Sequence, residues 1–189
     1  MNDIWGVRTH DKMKEVLWKP DAEGPDVHYY MIRGGSEKKN ITVWEAGTVG
    51  GEYIKTYGHY HVDDLPETYW IIEGQGIALL QKRKGEENDV LEEFKVVHVE
   101  AGDVLDIPIR YGHLVVNVGR TWFVTSDDSP VDMGKDSASM PVHADYKPVQ
   151  AMAGFAYFVV EHEGKPALVK NPRYKSIDKE DLGGLKIVG

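Results

Sequence analysis

Three histidines and one glutamate stand at spacings that allow them to bind a single metal ion. His59 and His61 are two residues apart, and on a β-strand such side chains point to the same face, about 7 Å apart. Tyr60 then points to the opposite face. Glu67 follows after a short loop, and His113 begins a later segment of strand character. Three imidazoles and one carboxylate suit Fe(II), Mn(II), Co(II), Ni(II) or Zn(II), and they leave two octahedral positions for substrate or water. Calcium and magnesium prefer oxygen ligands.

The elements that must position these side chains have the character of short β-strands. They are rich in β-branched and aromatic residues, and glycine-containing turns separate them. The predicted strands are 41–46, 52–57, 68–72, 77–81, 94–99, 104–107, 113–118, 122–125, 155–161 and 167–170. Because no long stretch of helical period lies between them, the pattern favours an antiparallel sandwich or barrel over a parallel sheet with crossover helices.

The remaining segments predict short peripheral structure. Segment 9–19 has helical period behind Thr9 as an N-cap, and predicts a surface helix. Segment 126–153 carries acids, small residues and prolines without a strand pattern, which is typical of a lid or mobile loop. The tail predicts coil with a helical turn around 178–182.

The length of 189 residues predicts one domain with one core. We expect it to consist of an N-terminal arm (1–39), a barrel core (about 40–170) and a C-terminal tail (171–189).

Charge and composition exclude several classes of function. The formal net charge is −9, which argues against a broad nucleic-acid or anionic-membrane surface, so an anionic ligand needs a local site. The chain has no cysteine, which excludes disulfides, thiolate metal ligands and thiol nucleophiles. No apolar run approaches the roughly 20 residues that span a bilayer, and the N-terminus lacks the pattern of a signal peptide. We therefore predict a cytoplasmic protein with no nucleic-acid or membrane partner.

The spacing around the histidines resembles the two signature motifs of the cupin superfamily. The first matching stretch has Gly58, His59, His61, Glu67 and Gly74, and the second has Gly102, Pro108, His113 and Asn117. The resemblance implies an all-β fold, a double-stranded β-helix (jelly-roll) barrel with short peripheral helices. It also implies a metal inside the mouth of the barrel.

Further residues resemble one branch of that superfamily, the cupin-type phosphoglucose isomerases. The matching positions are Thr42-Val43, Thr56-x-Gly58-His59-x-His61, Glu67-x-Tyr69, Gly74-x-Gly76, Asn117-Val118-Gly119 and Asn171-Pro172-Arg173. The resemblance implies an aldose–ketose isomerase that interconverts glucose 6-phosphate and fructose 6-phosphate, a step of glycolysis and gluconeogenesis. It also implies a homodimer that pairs through a sheet and the N-terminal arm.

The resemblance assigns roles to the site residues. His59, His61, Glu67 and His113 map onto the ligands of one divalent transition metal. Such an ion would polarise the C1 carbonyl and stabilise an enediolate, so that a carboxylate could move a proton between adjacent carbons. Glu67 is the candidate base, but a carboxylate bound to a dication is a weak base. Metal-assisted hydride transfer therefore stays open as an alternative. Tyr69, two residues later, is expected in the same cavity as a donor to a sugar hydroxyl.

Substrate binding is expected at four other positions. Thr42 and Thr56 resemble positions that contact the phosphate, and Gly58 lets the backbone approach the ligand. Arg110, in the turn before His113, could pair with a phosphate or with Glu67 or Asp106.

Some residues depart from the pattern of this branch. Tyr57 stands where a lysine is usual, and Asp127 and Asp128 fall where a tyrosine is expected. Acids beside a phosphate site would repel it. Two alternatives therefore stay open, namely a non-catalytic metal-containing cupin that binds sugar and an Fe(II)-dependent cupin oxygenase. Members of this branch also have a histidine and a tyrosine downstream of the barrel motifs. His143 and Tyr146 match that pair only loosely.

The remaining histidines have no partner at ligand spacing and are interpreted as structural or solvated. These are His10, His28, His98, His143 and His162.

Overall fold

The protein is described by a computed structural model over residues 4–35, 39–132 and 141–189. The strands are β1 (Ile4–Thr9), β2 (Val27–Gly35), β3 (Lys39–Trp44), β4 (Thr48–Val49), β5 (Glu52–Tyr53), β6 (Tyr60–His61), β7 (Glu67–Glu73), β8 (Gln75–Arg83), β9 (Val90–Glu100), β10 (Val104–Ile107), β11 (Tyr111–Asn117), β12 (Phe123–Asp127), β13 (Ala144–Asp145), β14 (Tyr157–His162), β15 (Lys165–Lys170) and β16 (Ser176–Asp181). The helices are α1 (His10–Met13), a 3-10 helix (Lys14–Val16) and α2 (Lys147–Ala151).

Two larger sheets contribute to one hydrophobic core. The first has the strand order β1-β2-β3-β12-β7-β10, and the second has the order β11-β8-β9-β16. Ile71 of the first sheet and Leu79 and Phe94 of the second belong to the same buried cluster. Smaller sheets, β13-β6 and β15-β14-β5-β4, complete the fold. This arrangement of strands with short peripheral helices confirms the predicted all-β class.

Strand β7 shows how the first sheet turns polar side chains inward. It lies between β12 and β10, so that both of its edges are paired. Glu67 and Ile71 are buried on its inner face, whereas Ile72 is exposed on its outer face. Because side chains alternate along a strand, Tyr69 shares the inner face with Glu67.

The N-terminal arm is more regular than its sequence pattern predicts. Thr9 caps α1, since its Oγ1 accepts a hydrogen bond from Lys12 N at 3.4 Å. The helical segment ends at Val16, before the predicted end at residue 19. On both sides of it, β1 and β2 pair with each other, and β2 also pairs with β3. Two strands that the sequence did not predict therefore extend the sheet.

The tail forms a strand where the sequence predicted a helical turn. β16 pairs in parallel with β9, so the predicted turn around 178–182 is wrong. The predicted loop at 126–153 contains the end of β12, the short β13 and helix α2. Residues 133–140 of that loop lie outside the described residues.

Candidate active site

The four candidate metal ligands come from three neighbouring backbone segments. His59 and His113 form an antiparallel bridge, with His59 N donating to His113 O at 3.2 Å and His113 N donating to His59 O at 3.0 Å. His61 ends β6, and Glu67 begins β7. Tyr60 faces the other way, as expected, and accepts a hydrogen bond from Gln81 Nε2 at 2.9 Å.

The ligand atoms converge on one point. One nitrogen of each histidine and one oxygen of Glu67 all lie within 4.8 Å of one another. The Glu67 Oε2 atom is 3.2 Å from His61 Nε2 and 3.0 Å from His113 Nε2. His59 Nε2 is buried and has no hydrogen-bond partner among the described residues. An orphaned imidazole nitrogen beside a carboxylate and two further imidazoles is what a metal ion would satisfy.

A backbone carbonyl orients one of these rings. His61 Nδ1 lies 2.7 Å from Leu65 O. Because a carbonyl only accepts, Nδ1 carries the proton and Nε2 faces Glu67. A hydrogen bond of this kind from the outer ring nitrogen is the usual support of a histidine ligand. The donor set therefore fits a divalent transition metal.

The protonation states also suit metal binding. Burial, together with the neighbouring His113, holds the pKa of His59 well below its usual value, so this imidazole is neutral. Burial alone would raise the pKa of Glu67. Interactions with the neighbouring His113 and His61 imidazoles outweigh burial, and they hold the pKa of Glu67 well below its usual value. The site therefore offers an ionised carboxylate and a neutral imidazole.

Tyr69 lies beside the cluster in the orientation that strand alternation predicts. Its hydroxyl is 3.1 Å from His113 Nε2. Burial and the neighbouring Glu67 and Asp127 carboxylates raise its pKa well above the usual value. Tyr69 therefore keeps its proton and acts as a hydrogen-bond donor.

A cavity joins this cluster to three of the expected substrate-binding residues. Its lining consists of Tyr29, Met31, Arg33, Thr42, Thr56, Tyr57, Gly58, His59, Glu67, Tyr69, His113, Asp127, His143 and Tyr146. Thr42, Thr56 and Gly58 line this cavity, and their role in substrate binding stays a prediction from the sequence. Thr56 Oγ1 accepts from Val115 N at 3.0 Å, which leaves its hydroxyl proton for another partner.

Gly58 is required at its position. Its φ is +82°, and a Cβ there would lie 2.8 Å from the ring of Phe155. A side chain would therefore be strained by both the backbone and the packing. The glycine lets the chain turn into His59 against the core.

Arg110 does not line this cavity. Its Nε and Nη2 atoms donate to Asp64 at 2.8 and 3.0 Å on an exposed part of the surface. Its φ is 67°, in the left-handed region. The expected pairing with Glu67 or Asp106 is not formed, and a role for Arg110 in substrate binding stays a prediction from the sequence.

The two acids that the sequence placed near the phosphate site behave differently. Asp128 is exposed and accepts a hydrogen bond from Thr68 N at 2.7 Å. Asp127 is 2% exposed and lines the cavity. Its Oδ1 accepts from Asn40 Nδ2 at 2.6 Å and from the Ser129 hydroxyl. Burial, with a smaller contribution from Glu67, raises the pKa of Asp127 to about 7.

Sequence reasoning missed the contribution of the N-terminal arm to the cavity. Tyr29 and Arg33 come from β2, and buried Arg8 from β1 donates through Nε to the Tyr29 hydroxyl at 2.9 Å. The guanidinium of Arg8 also lies 5.1 Å from the ring centroid of Tyr57. The concentration of β-branched and aromatic residues over 27–32 was the signal that could have revealed this strand.

The prediction for His143 also needs correction. The sequence interpreted it as structural or solvated, yet its ring centroid lies 6.0 Å from that of His59 and 5.8 Å from that of His61. Tyr146 lies on the same side, with its ring centroid 5.4 Å from that of His59. Both residues line the cavity. They come close because β13 pairs with β6.

The chain is similar in sequence to known proteins. The glucose-6-phosphate isomerase (GPI) family model matches residues 22–175. Glucose-6-phosphate isomerase of Pyrococcus abyssi is 31% identical over 182 residues, which cover 93% of this chain and 86% of that protein. The enzyme of Thermococcus kodakarensis is 33% identical over 180 residues, which cover 93% and 85%. Among solved structures, the Drosophila melanogaster CENP-C cupin domain has a TM-score of 0.37 at 14% identity, over 52% of this chain and 65% of that one. By its family match and these relatives, the chain belongs to the glucose-6-phosphate isomerase family.

Proposed function

We propose that this protein is a metal-dependent glucose-6-phosphate isomerase. The single observation that carries the metal dependence is the convergence of four ligand atoms within 4.8 Å beside a cavity that three of the four residues line. The activity itself is supported by family membership and by relatives of that name at about one-third identity over most of the chain. Its substrate is then a phosphosugar.

His59, His61, Glu67 and His113 would hold one divalent transition metal, chosen from iron, manganese, nickel, cobalt and zinc. When bound, such an ion supplies Lewis-acid polarisation of a sugar carbonyl. The buried position of the ligands keeps water away from the reacting carbons and strengthens each polar contact there.

Glu67 and Tyr69 are the residues that we propose for catalysis. Tyr69 is a protonated donor beside His113, and its hydroxyl can hydrogen-bond a sugar oxygen at the reacting end. Glu67 is ionised and can accept a proton from one sugar carbon and return it to the next. The low pKa of Glu67 makes it a weak base, so hydride transfer with Glu67 only as a ligand stays an alternative. Thr42, Thr56 and Gly58 would position the rest of the substrate.

The test is a coupled assay of fructose 6-phosphate conversion on protein stripped with a chelator. Fe(II), Mn(II), Co(II), Ni(II) or Zn(II) is added back, and the bound metal is counted in parallel. Glu67→Gln and His113→Ala remove a ligand each, and His98→Ala changes an exposed histidine as a matched control. We expect metal-restored turnover in the wild type and in the control, and at least about a 10³-fold loss in both ligand variants.

Two results would overturn the proposal. Full turnover in the stripped protein would exclude metal dependence. Stoichiometric metal without turnover for any ion would favour the non-catalytic sugar-binding alternative. Oxygen consumption by the Fe(II)-loaded protein would favour an oxygenase, but no observation on the described residues favours that function.

We also propose that the protein is a homodimer. The outer face of the six-stranded sheet carries exposed Tyr30, Ile32, Ile72 and Val104, which are 40–59% exposed. The register places Ile32 opposite Ile41, and Trp70 opposite Val104, in rows across the sheet. A contiguous apolar face of this kind is typical of an interface rather than of free surface.

Sedimentation of the wild type tests this proposal. We expect a species of twice the 21.3 kDa chain mass, and Ile32→Asp/Val104→Asp should shift it towards the single chain. A wild type that sediments as a single chain at all concentrations would contradict it.

In the parts of the chain that the structure describes, no helix is long and apolar enough to cross a membrane. The cytoplasmic location and the absence of nucleic-acid and membrane partners stay predictions from the sequence.

A further inference from the structure

Arg33 is a cation that the candidate metal site does not use. It lies near the end of β2 and lines the same cavity as Glu67 and Tyr69. Its side chain is only 11% exposed. It therefore belongs to the wall of the cavity rather than to the surface.

The polar contacts of Arg33 are few for a guanidinium at this depth. Its Nη1 lies 3.9 Å from Asp127 Oδ2, which is too long for a hydrogen bond. Its Nη2 donates to Met31 Sδ at 3.5 Å, which is a weak acceptor. Its Nε is buried and has no partner among the described residues. Burying N–H donors that have no hydrogen-bond partner costs free energy. A ligand that accepted hydrogen bonds from Arg33 would remove this cost.

Asp127 positions Arg33 without saturating it. Asn40 Nδ2, Ser129 N and the Ser129 hydroxyl all bind the same Asp127 oxygen, Oδ1. These bonds hold the carboxyl group in place through Oδ1. The second oxygen, Oδ2, lies 3.9 Å from Arg33 Nη1. Asp127 therefore supplies a fixed partner for the guanidinium, and the donors of Arg33 stay available to a second acceptor.

The charges around the cavity make a cation necessary for an anionic ligand. Glu67 and Asp127 both line it, and the chain as a whole carries a formal charge of −9. Repulsion by these acids would weaken the binding of a phosphate dianion unless a cation faced it. A guanidinium presents parallel N–H donors that match a phosphate group. Arg110 does not line this cavity, because it is paired with Asp64 on the surface.

We propose that Arg33 is a specificity-determining residue that binds the phosphate group of the sugar phosphate, with Asp127 holding its guanidinium in place. This inference rests on the proposed function, because it assigns one end of the same substrate. The sugar phosphate then lies along the cavity, with its reacting carbons at His59, His61, Glu67 and His113 and its phosphate at β2.

The experiment measures binding and turnover on the metal-loaded protein. Calorimetric titrations use fructose 6-phosphate, fructose and inorganic phosphate as separate ligands. The variants are Arg33→Met, Arg33→Lys and the double variant Arg33→Met/Asp127→Asn. Arg120→Met changes an exposed arginine outside the cavity as the matched control. Arg33→Met leaves the buried Asp127 carboxylate without its cationic neighbour, which could impair folding. The double variant removes that carboxylate as well.

We expect Arg33→Met to weaken fructose 6-phosphate and inorganic phosphate binding roughly 10- to 100-fold, with fructose binding unchanged. The double variant should bind these two ligands as weakly as Arg33→Met does. Arg33→Lys should recover only part of the affinity, because a lysine supplies a point charge in place of the forked donors of arginine. KM for fructose 6-phosphate should rise more than kcat falls. Arg120→Met should bind like the wild type.

Three results would overturn the inference. One is equal fructose 6-phosphate affinity in the wild type and in Arg33→Met. Another is a double variant with wild-type affinity for fructose 6-phosphate. The weaker binding of Arg33→Met would then come from the unpaired Asp127 carboxylate and not from the loss of Arg33. The last is a wild type that binds neither phosphate ligand. Failure of the proposed function looks different, because phosphate binding would depend on Arg33 while no ion restores turnover.

Discussion

The cavity has two ends that differ in how their polar groups are satisfied. At the metal end, Glu67 Oε2 lies 3.0 Å from His113 and 3.2 Å from His61. At the other end, Arg33 and Asp127 remain 3.9 Å apart. The residues of the metal end come from two short motifs, whereas those of the other end come from β2 and β12, far apart in the chain. The difference teaches that most of a set of candidate ligands can be encoded in short motifs, while the pair of Arg33 and Asp127 is assembled by strand pairing.

Removing one ligand tests whether the two ends act separately. In His59→Ala we expect loss of bound metal and at least about a 10³-fold fall in kcat/KM, because three donors remain at a site built for four. Inorganic phosphate should still bind within about threefold of the wild type, since the other end is intact. Metal analysis and calorimetry measure the two effects.

His143→Ala is the matched control for this prediction. His143 lines the same cavity but is not part of the four-ligand cluster, so this variant should keep its metal. A His59→Ala protein with full metal content would show that His59 is not a ligand.

Tyr69→Phe tests the metal end of the cavity without removing a metal ligand. It removes a hydroxyl that donates hydrogen bonds beside His113. We expect kcat to fall about 100-fold while bound metal and phosphate affinity stay unchanged, because one preorganised donor to the reacting end is lost. Steady-state kinetics and metal analysis check this. Tyr111→Phe, which removes a surface hydroxyl bound to Glu93, is the control. An unchanged kcat in Tyr69→Phe would place this residue in the packing of the cavity alone.

A stability measurement tests the strand that carries Arg33. His28 of β2 is 2% exposed, and burial with the neighbouring His10 lowers its pKa to about 4. The unfolded value is about 6.5, so between pH 6.5 and 4 the unfolded chain binds a proton that the folded chain excludes. The free energy of unfolding of the metal-free protein should therefore decrease as pH falls through this window, by roughly 2 to 3 kcal/mol from this group.

Urea denaturation at pH 7.5, 6, 5 and 4.5 measures this dependence. His28→Gln should flatten the slope relative to the wild type, and His98→Gln, at an exposed histidine, should not. The histidines of the cluster are present in all three proteins, so only the difference between the proteins is used. Identical slopes in the wild type and His28→Gln would contradict the prediction.

The smallest effect is expected from a single hydroxyl of the cavity wall. Thr42→Val keeps the shape of a buried side chain and removes one hydrogen-bonding group. We expect KM for fructose 6-phosphate to rise about three- to fivefold with kcat unchanged. Thr48→Val, at an exposed position, is the matched control. A KM equal to the wild-type value would assign Thr42 to strand packing alone.

The sequence predicted the metal end well for a physical reason. Strand alternation placed His59 and His61 on one face and Tyr60 on the other, and it placed Tyr69 beside Glu67. These relations span few residues, so local geometry decides them. The position of His113 needed the family resemblance, because the bridge between His59 and His113 joins distant segments.

The errors have a shared cause. Arg110 was expected near the cavity, but it pairs with Asp64, 46 residues earlier in the chain. β16 was interpreted as a helical turn, because a parallel partner so far away in the chain leaves no local pattern. His143 was set aside because its partners at β6 are more than eighty residues earlier in the chain.

By itself, the sequence determined the all-β class, the residue types of the candidate metal site and the inner face of β7. These follow from side-chain chemistry and from the two-residue period of a strand. Only the tertiary structure decided that Arg33 of β2 and Asp127 of β12 share a cavity with that cluster. The pairing of β2 with β3, and of β3 with β12, brings them together. Burial and partial pairing of charges are properties of the assembled sheet, since they depend on contacts between segments that the chain order does not record.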